Sequence, residues 1–213
     1  MSLIDFIYPK YCVGCGVEGL YVCIECRKKL FRPDPICPMC CNPSLDGWTH
    51  PRCHEKNSLD RLIVGLSYKG IVQTCLKKVK YKSNWDIATF LYDAAKFDNM
   101  PEMIVTAVPM WGRKLSERGF NQAEIIADKV AKQSRLTHLV LLDRVRETRP
   151  MFGLSKIDRK TNILNAFRYI GSNSIHKVLL VDDVWTTGST MRECAKVLKL
   201  NGVEEVWALT LAR

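Results

Sequence analysis

No run of apolar residues in this 213-residue chain approaches the roughly 18–20 that a membrane-crossing helix requires, so a membrane span is not expected. The first nine residues, Met1–Pro9, lack the basic stretch followed by an apolar one that marks a secretory signal. The cytoplasm is therefore the expected location. There is no low-complexity segment, and no G-x-x-x-x-G-K-[ST] run, which excludes a nucleotide P-loop with its phosphate-reaching lysine. Acid is missing locally as well: Arg61–Lys82 holds six basic residues and no carboxylate.

The formal net charge is +10 and is unevenly placed. Residues 1–57 carry 7 Lys/Arg against 6 Asp/Glu, whereas residues 58–213 carry 25 against 16. The segment Arg144–Arg168 alone has seven basic residues and two acidic ones. Such an excess favours polyanionic partners, either pyrophosphate-bearing small molecules or nucleic acid. Charge alone does not choose between them, and a plain solvated basic surface is the competing explanation.

Cysteine, by contrast, is abundant and clustered. Eight of the ten lie in the first 53 residues, as Cys12-x2-Cys15, Cys23-x2-Cys26 and Cys37-x2-Cys40, with Cys41 adjacent and a closing His50-x2-Cys53. A C-x2-C knuckle places two thiolates on one tight turn with a bite suited to tetrahedral zinc, and a histidine in one position keeps a Cys3His ligand set. Disulfides suit a reducing compartment poorly, and paired knuckles favour zinc over an iron–sulfur cluster. The expected structural zinc ligands are Cys12, Cys15, Cys23, Cys26, Cys37, Cys40, His50 and Cys53. Sequential pairing and an interleaved cross-brace both remain open, with Cys41 and His54 as bystanders or substitutes. A head this short has little core of its own, so metal binding would supply its folding energy. Residues 1–57 read as this zinc-binding domain.

From residue 58 to 213 strand and helix patterns alternate. Strands are expected at Leu62–Tyr68, Met103–Val108, Leu139–Leu142, Val178–Asp182 and Val206–Leu211. Helices are expected at Ile71–Tyr81, Asp86–Phe97, Phe120–Gln133 and Thr190–Leu200. The alternation predicts an α/β domain with a mostly parallel sheet and a site at the strand C-termini. Two connecting loops stand out. Pro109–Gln122 follows a strand directly and offers Arg113, Lys114 and Arg118, whose charges suit pyrophosphate. Arg144–Phe167 is long and basic, with a helical turn near Ser155–Asn162, and has the length of a lid. Cys75 and Cys194 fall at helical positions and read as small buried apolar residues.

The most informative stretch is Val178-Leu-Leu-Val-Asp-Asp-Val-Trp-Thr-Thr-Gly-Ser-Thr190. A buried strand runs into two adjacent carboxylates, Asp182 and Asp183. Val184, Trp185, Thr186, Thr187, Gly188, Ser189 and Thr190 then lead into a helix. Unpaired backbone N–H groups, hydroxyl donors and the positive helix end make such a turn an anion cradle. Gly188 lets the backbone approach a phosphate closely. The plainer reading is a strand followed by an ordinary hydroxyl-rich helix cap. The carboxylates beside a monophosphate cradle suit a sugar phosphate with vicinal hydroxyls and a divalent cation. The stretch closely resembles the signature of type I phosphoribosyltransferases, which bind 5-phosphoribosyl-1-pyrophosphate (PRPP). In that resemblance the acidic pair holds the ribose hydroxyls, the turn holds the 5-phosphate, and Mg2+ accompanies the substrate. Trp185 is bulkier than the aliphatic expected at its position and is expected to narrow the site or stack on it.

Taken over nearly its whole length, the chain resembles the ComF/GntX family of phosphoribosyltransferase-like proteins. The resemblance rests on the knuckle-rich N-terminus, Lys77…Lys80-Tyr81, the Val108-Pro109…Arg113…Arg118-Gly-Phe-Asn-Gln122 block, and Arg144…Arg146…Thr148. It continues through Gly153-Leu-Ser…Arg159…Asn162…Ala166-Phe167 and Val181–Thr190. Met151 and His50 depart from the family's pattern, which has a glutamine and a cysteine there. The resemblance implies a type I phosphoribosyltransferase fold with a hood at 144–167 and a link to DNA uptake in natural competence. Two functions follow as expectations. One is phosphoribosyl transfer from PRPP to an unknown acceptor, with Asp182, Asp183, Arg113, Lys114 and Arg118 at the reacting centre. The other is a non-catalytic PRPP-sensing or single-stranded-DNA-binding module, with Tyr68, Tyr81 or Trp85 stacking on bases.

Overall fold

The computed structural model describes residues 10–82, 85–97, 100–148, 161–172 and 174–213. Four parallel strands form the central sheet: β1 (Arg61–Leu66), β2 (Ile104–Ala107), β5 (Lys177–Val184) and β6 (Glu205–Ala212), in the order β1-β6-β5-β2. A single parallel bridge from His138 to Val105 extends the sheet beyond β2. Strands β3 (Leu142–Arg144) and β4 (Phe167–Tyr169) make a separate antiparallel pair. Helices α1 (Ile24–Arg27), α2 (Gly70–Lys82), α3 (Trp85–Ala95), α4 (Gly112–Arg118), α5 (Gln122–Ser134) and α6 (Ser189–Leu200) complete the described elements, with short 3-10 turns at Leu45–Gly47 and Pro51–Cys53.

The apolar run of β5 is buried on both faces, as a central parallel strand must be. Its alternate residues serve different layers. Leu179 and Val181 join a core with Val72, Leu76, Ile87, Leu91, Ala123 and Ile126, under α2, α3 and α5. Val178 and Leu180 join the opposite core with Met191, Cys194, Leu198, Leu142 and Phe167, under α6 and the β3–β4 pair. Each fully buried leucine in these layers contributes roughly 2 kcal/mol of apolar transfer. The expected α/β class with a mostly parallel sheet is what forms.

The cysteine-rich segment straddles the sheet. Cys12, Val22 and Cys26 pack into the core of the first face, while Ile36 packs into that of the second. Asp60 fastens its C-terminal end, accepting from the Val206 backbone N–H at 2.7 Å.

Some expectations shift. The strand expected at Leu139–Leu142 forms at Leu142–Arg144 instead, because Leu139 donates its backbone N–H to Val105 at the sheet margin before the chain turns away. Leu139 and Val140 are left exposed. The Pro109–Gln122 loop contains a two-turn helix, α4. The 144–167 segment is shortened at both ends by the β3–β4 pair; of its expected helical turn, residues 161–163 are helical and 155–160 lie outside the described residues.

Candidate functional site

The C-terminal end of β5 projects past β2. Val108 donates its N–H to the Val181 carbonyl at 2.9 Å and β2 pairing ends there, so Asp182 and Asp183 stand beyond the end of the neighbouring strand. From β2 the chain leaves through α4 and α5 toward the His138 bridge on one side; from β5 it leaves through α6 toward β6 on the other. Connections that diverge in this way open a crevice at the strand ends, where ligands of open α/β sheets bind.

The turn after Val184 is built for close approach. Gly188 has φ +75 and is the N-cap of α6, so no N-cap side chain satisfies the first amides of that helix. Thr187 Oγ1 lies 2.8 Å from Ser189 Oγ and accepts a long, 3.5 Å contact from the Ser189 N–H. Asp183 donates its backbone N–H to Asp182 Oδ1 at 2.8 Å, which fixes the first carboxylate. Trp185 neither narrows the crevice nor stacks in it. It is 2 % exposed and belongs to the core beneath the turn, where a β-carbon on Gly188 would come within 2.2 Å of its ring.

Two residues of the 118–122 string have a clear local role. Gly119 ends α4 in the left-handed region, at φ +76. Asn121 caps α5 by accepting from the Ala123 N–H and donates Nδ2–H to the Val108 carbonyl at 3.0 Å, tying the block to the end of β2. Lys114, on α4, lies within electrostatic reach of Arg144 and Arg118. Burial, then the charges of Arg144 and Arg118, pull the Lys114 pKa below its ordinary value, with Glu147 and Glu117 opposing. Burial also lowers that of Arg144, against the pull of Cys194 and Asp182. Arg113 is turned outward, 73 % exposed and paired with Glu117 at 3.1 Å.

In the sequence Arg144 and Arg146 stood out only as part of the basic lid segment and the family pattern, and Glu193 and Arg192 not at all. Arg144 donates to Thr148 and lies 5.5 Å over the Phe167 ring. Arg146 donates to the carbonyls of Asn162 and Leu164, and Glu193 accepts from the Asn165 N–H, so the two ends of the 145–166 segment are held together and against α6. The runs Arg144-x-Arg146 and Asn162…Ala166-Phe167 were the only signal in the sequence. The hood residues Met151, Gly153 and Arg159, and the side chains of Tyr81 and Trp85, lie outside the described residues. Tyr68 packs against the core rather than standing free for a base.

The cysteine knuckles assemble sequentially. The ligand atoms of Cys12, Cys15, Cys23 and Cys26 lie within 4.8 Å of one another, as do those of Cys37, Cys40, His50 and Cys53. Their chemistry fits a divalent cation. Burial pushes the Cys12 thiol up, but N–H groups of Cys23, Cys15 and Gly14 outweigh it and bring it down to about 6. Burial and the neighbouring thiols push Cys26 up to about 12. The same division separates Cys37, lowered by backbone donors despite burial, from Cys53, raised by burial and its sulfur neighbours. Backbone donors thus favour the thiolate, the metal-binding form, at Cys12 in one set and at Cys37 in the other. His50 Nε2 lies 3.0 Å from the Pro43 carbonyl, which fixes the tautomer that leaves Nδ1 for metal. Cys41 and His54 belong to neither set: Cys41 meets Arg192, and His54 meets Asp60 at 3.1 Å.

Residues 3–55 match the double zinc ribbon domain. Zinc is thus the structural metal of these knuckles. Along most of its length the chain is 30% identical to Competence protein F of Haemophilus influenzae, covering 95% of this chain and 84% of that protein. The chain belongs to the ComF family. Other ComF-type relatives include DNA utilization protein YhgH of Escherichia coli, 30% identical over 88% of this chain and 89% of that protein. Competence protein ComFC of Streptococcus pneumoniae is 26% identical over 90% of this chain and 87% of that protein. The names of these relatives tie those proteins to competence and to DNA utilization. Among the described residues no helix is long and apolar enough to cross a membrane.

Proposed function

We propose that this chain binds PRPP in the crevice at the end of β5 and transfers its 5-phosphoribosyl group to an acceptor during the handling of incoming DNA. The observation that carries the reading is the adjacency of Asp182 and Asp183 to the uncapped, left-handed turn at Gly188 that opens α6. The first-turn amides and the hydroxyls of Thr186, Thr187, Ser189 and Thr190 would hold the 5-phosphate. Asp182 and Asp183 would hold the ribose hydroxyls. Lys114 and Arg118 on the α4 side would meet the pyrophosphate, joined by Arg144. Residues 58–213 would form this catalytic unit and 1–57 the zinc-binding one.

Transfer replaces the C1–oxygen bond to pyrophosphate with a bond from C1 to the acceptor, whose proton passes to solvent. As in glycoside chemistry, positive charge grows on C1 and the ring oxygen as pyrophosphate departs. Fixed carboxylates beneath the ribose stabilise that charge, and the cations stabilise the leaving group. Mg2+ bound with PRPP would neutralise charge on the leaving pyrophosphate. Histidine is an unsuited base here: His50 is in a metal set, His54 is on Asp60, His176 is on Glu204 and His138 is on the β2 margin.

A second reading, a PRPP-sensing or single-stranded-DNA-binding module without turnover, is favoured by the net charge of +10. Pyrophosphate release from PRPP across candidate acceptors separates the two. Release that Asp183→Asn abolishes supports transfer. Steeply salt-dependent binding of single-stranded DNA with no release supports the module.

A further inference from the structure

Arg192, in the first turn of α6, touches two distant parts of the chain at once. Its Nη1 donates to the Thr187 carbonyl at 2.8 Å, and its guanidinium lies 5.4 Å over the Trp185 ring. Its Nε donates to the Pro38 carbonyl at 2.6 Å, and Nη2 lies 3.3 Å from Cys41 Sγ. Thr187 and Trp185 belong to the turn after β5. Pro38 lies inside the Cys37-x2-Cys40 knuckle, and Cys41 follows it.

The two ribbons differ at one informative position. In the first, Gly16 donates to Cys12 O at 2.8 Å and Cys12 donates to Val17 O at 2.8 Å. In the second, Cys41 donates to Cys37 O at 2.9 Å and Cys37 donates to Asn42 O at 2.9 Å. The knuckles are equivalent, and the residue after the second ligand has φ +78 in Gly16 and φ +64 in Cys41. The left-handed region suits glycine and strains a residue with a β-carbon. The second knuckle carries a thiol there despite that strain, and the thiol meets Arg192.

We propose that Arg192 is a positioning residue that couples the second metal site to the turn, so that the grip on a sugar 5-phosphate depends on metal at Cys37, Cys40, His50 and Cys53. The ligand half of this inference rests on the PRPP reading above; the mechanical half does not. With metal bound, the Pro38 carbonyl and Cys41 thiol are fixed, and Arg192 is held in the one orientation that also holds Thr187. Without it, Trp48 and Thr49 still tie the segment to β1, but the knuckle around Pro38 and Cys41 loses the ion that closes it, and two of the guanidinium's anchors are released. Linkage makes the effect reciprocal: phosphate on the turn tightens metal in the knuckle by the same factor.

The test uses the full chain, loaded with zinc or with Co2+, whose visible spectrum reports a tetrahedral thiolate site. Amide exchange of residues 185–191 and PRPP affinity by calorimetry are compared in wild type, Arg192→Ala, Arg192→Lys, Cys53→Ser and the Arg192→Ala/Cys53→Ser double variant. Arg192→Ala is expected to keep a normal cobalt spectrum, showing that the knuckle is folded and filled, while speeding exchange of the turn and weakening PRPP about tenfold. PRPP should perturb the cobalt spectrum of wild type and not that of Arg192→Ala. Cys53→Ser should match Arg192→Ala, the double variant should be no worse than either, and Arg192→Lys should not rescue because an ammonium lacks the fork. Unchanged exchange in Arg192→Ala, or additive losses in the double variant, overturns the coupling. If wild type binds no PRPP while exchange of the turn still follows Arg192 and the second metal, the PRPP reading falls and the coupling stands. If PRPP binds equally to every variant, the coupling falls and the PRPP reading stands.

Discussion

Asp60 Oδ2 holds Lys199 Nζ at 2.7 Å, with both side chains nearly buried, at 11% and 6% exposure. The same oxygen accepts the Val206 N–H, so one carboxylate joins the end of the ribbon segment to α6 and to the start of β6. Removing one partner of a buried pair strands the other charge, whereas removing both does not. Asp60→Ala is therefore expected to lower unfolding free energy by about 3 kcal/mol, and Asp60→Ala/Lys199→Met by clearly less. Urea titration of the metal-loaded chain measures both; a double variant as unstable as the single one contradicts the argument.

Gly188 is constrained twice, by φ +75 and by the Trp185 ring 2.2 Å from where a β-carbon would sit. Gly188→Ala should disrupt the turn, weakening PRPP binding at least tenfold and costing about 1–3 kcal/mol of stability. Trp185→Leu in that background opens the space and should recover part of the stability, but not the backbone strain. Thermal melts with and without PRPP separate the two contributions.

Metal content should be two zinc ions per chain, falling to one in Cys23→Ala. Cys41→Gly should keep both, since Cys41 lies outside the metal sets and its φ of +64 suits glycine. Mass spectrometric metal analysis of the purified chains is sufficient, and a Cys41→Gly chain with one zinc would make Cys41 a ligand after all.

The lowered pKa of Lys114 has a signed consequence for anion binding. In the free chain, burial and its cationic neighbours favour the neutral amine as pH rises toward the ordinary value of 10.5. A bound pyrophosphate raises the pKa again, so between the free and bound values binding takes up a proton and weakens as pH increases. Well below the free value Lys114 is charged in both states and contributes no pH dependence. Calorimetry of pyrophosphate binding from pH 7 to 10 should show this fall, and Lys114→Met should flatten it.

Much of this was legible in the sequence where a local rule dominates. The uninterrupted Val178–Val181 run read as a doubly buried strand, and Cys-x2-Cys spacing announced the metal sets. Sequential pairing was not legible, because the same spacing permits a cross-brace; it follows from how residues 10–60 wrap both sheet faces. Trp185 misled because side-chain size gives no direction, and its ring turns into the core. Arg113, Lys114 and Arg118 looked equivalent as a cationic cluster, but a helix turns successive positions apart and sends Arg113 out to Glu117. Arg192 carried no signal, since its partners at Pro38 and Cys41 are over 150 positions away in the sequence.

Cys12 and Cys26 lie in the same apolar layer as Leu66, Val181 and Leu209, not in a pocket of their own. Losing the ion between them therefore loosens the main layer and not just an appendage. Above the dissociation constant of that site, each tenfold rise in free zinc stabilises the folded chain by about 1.4 kcal/mol through mass action. The melting temperature of the whole molecule thus becomes a logarithmic gauge of zinc supply, and starvation for the ion would thin out the folded population without any change in synthesis.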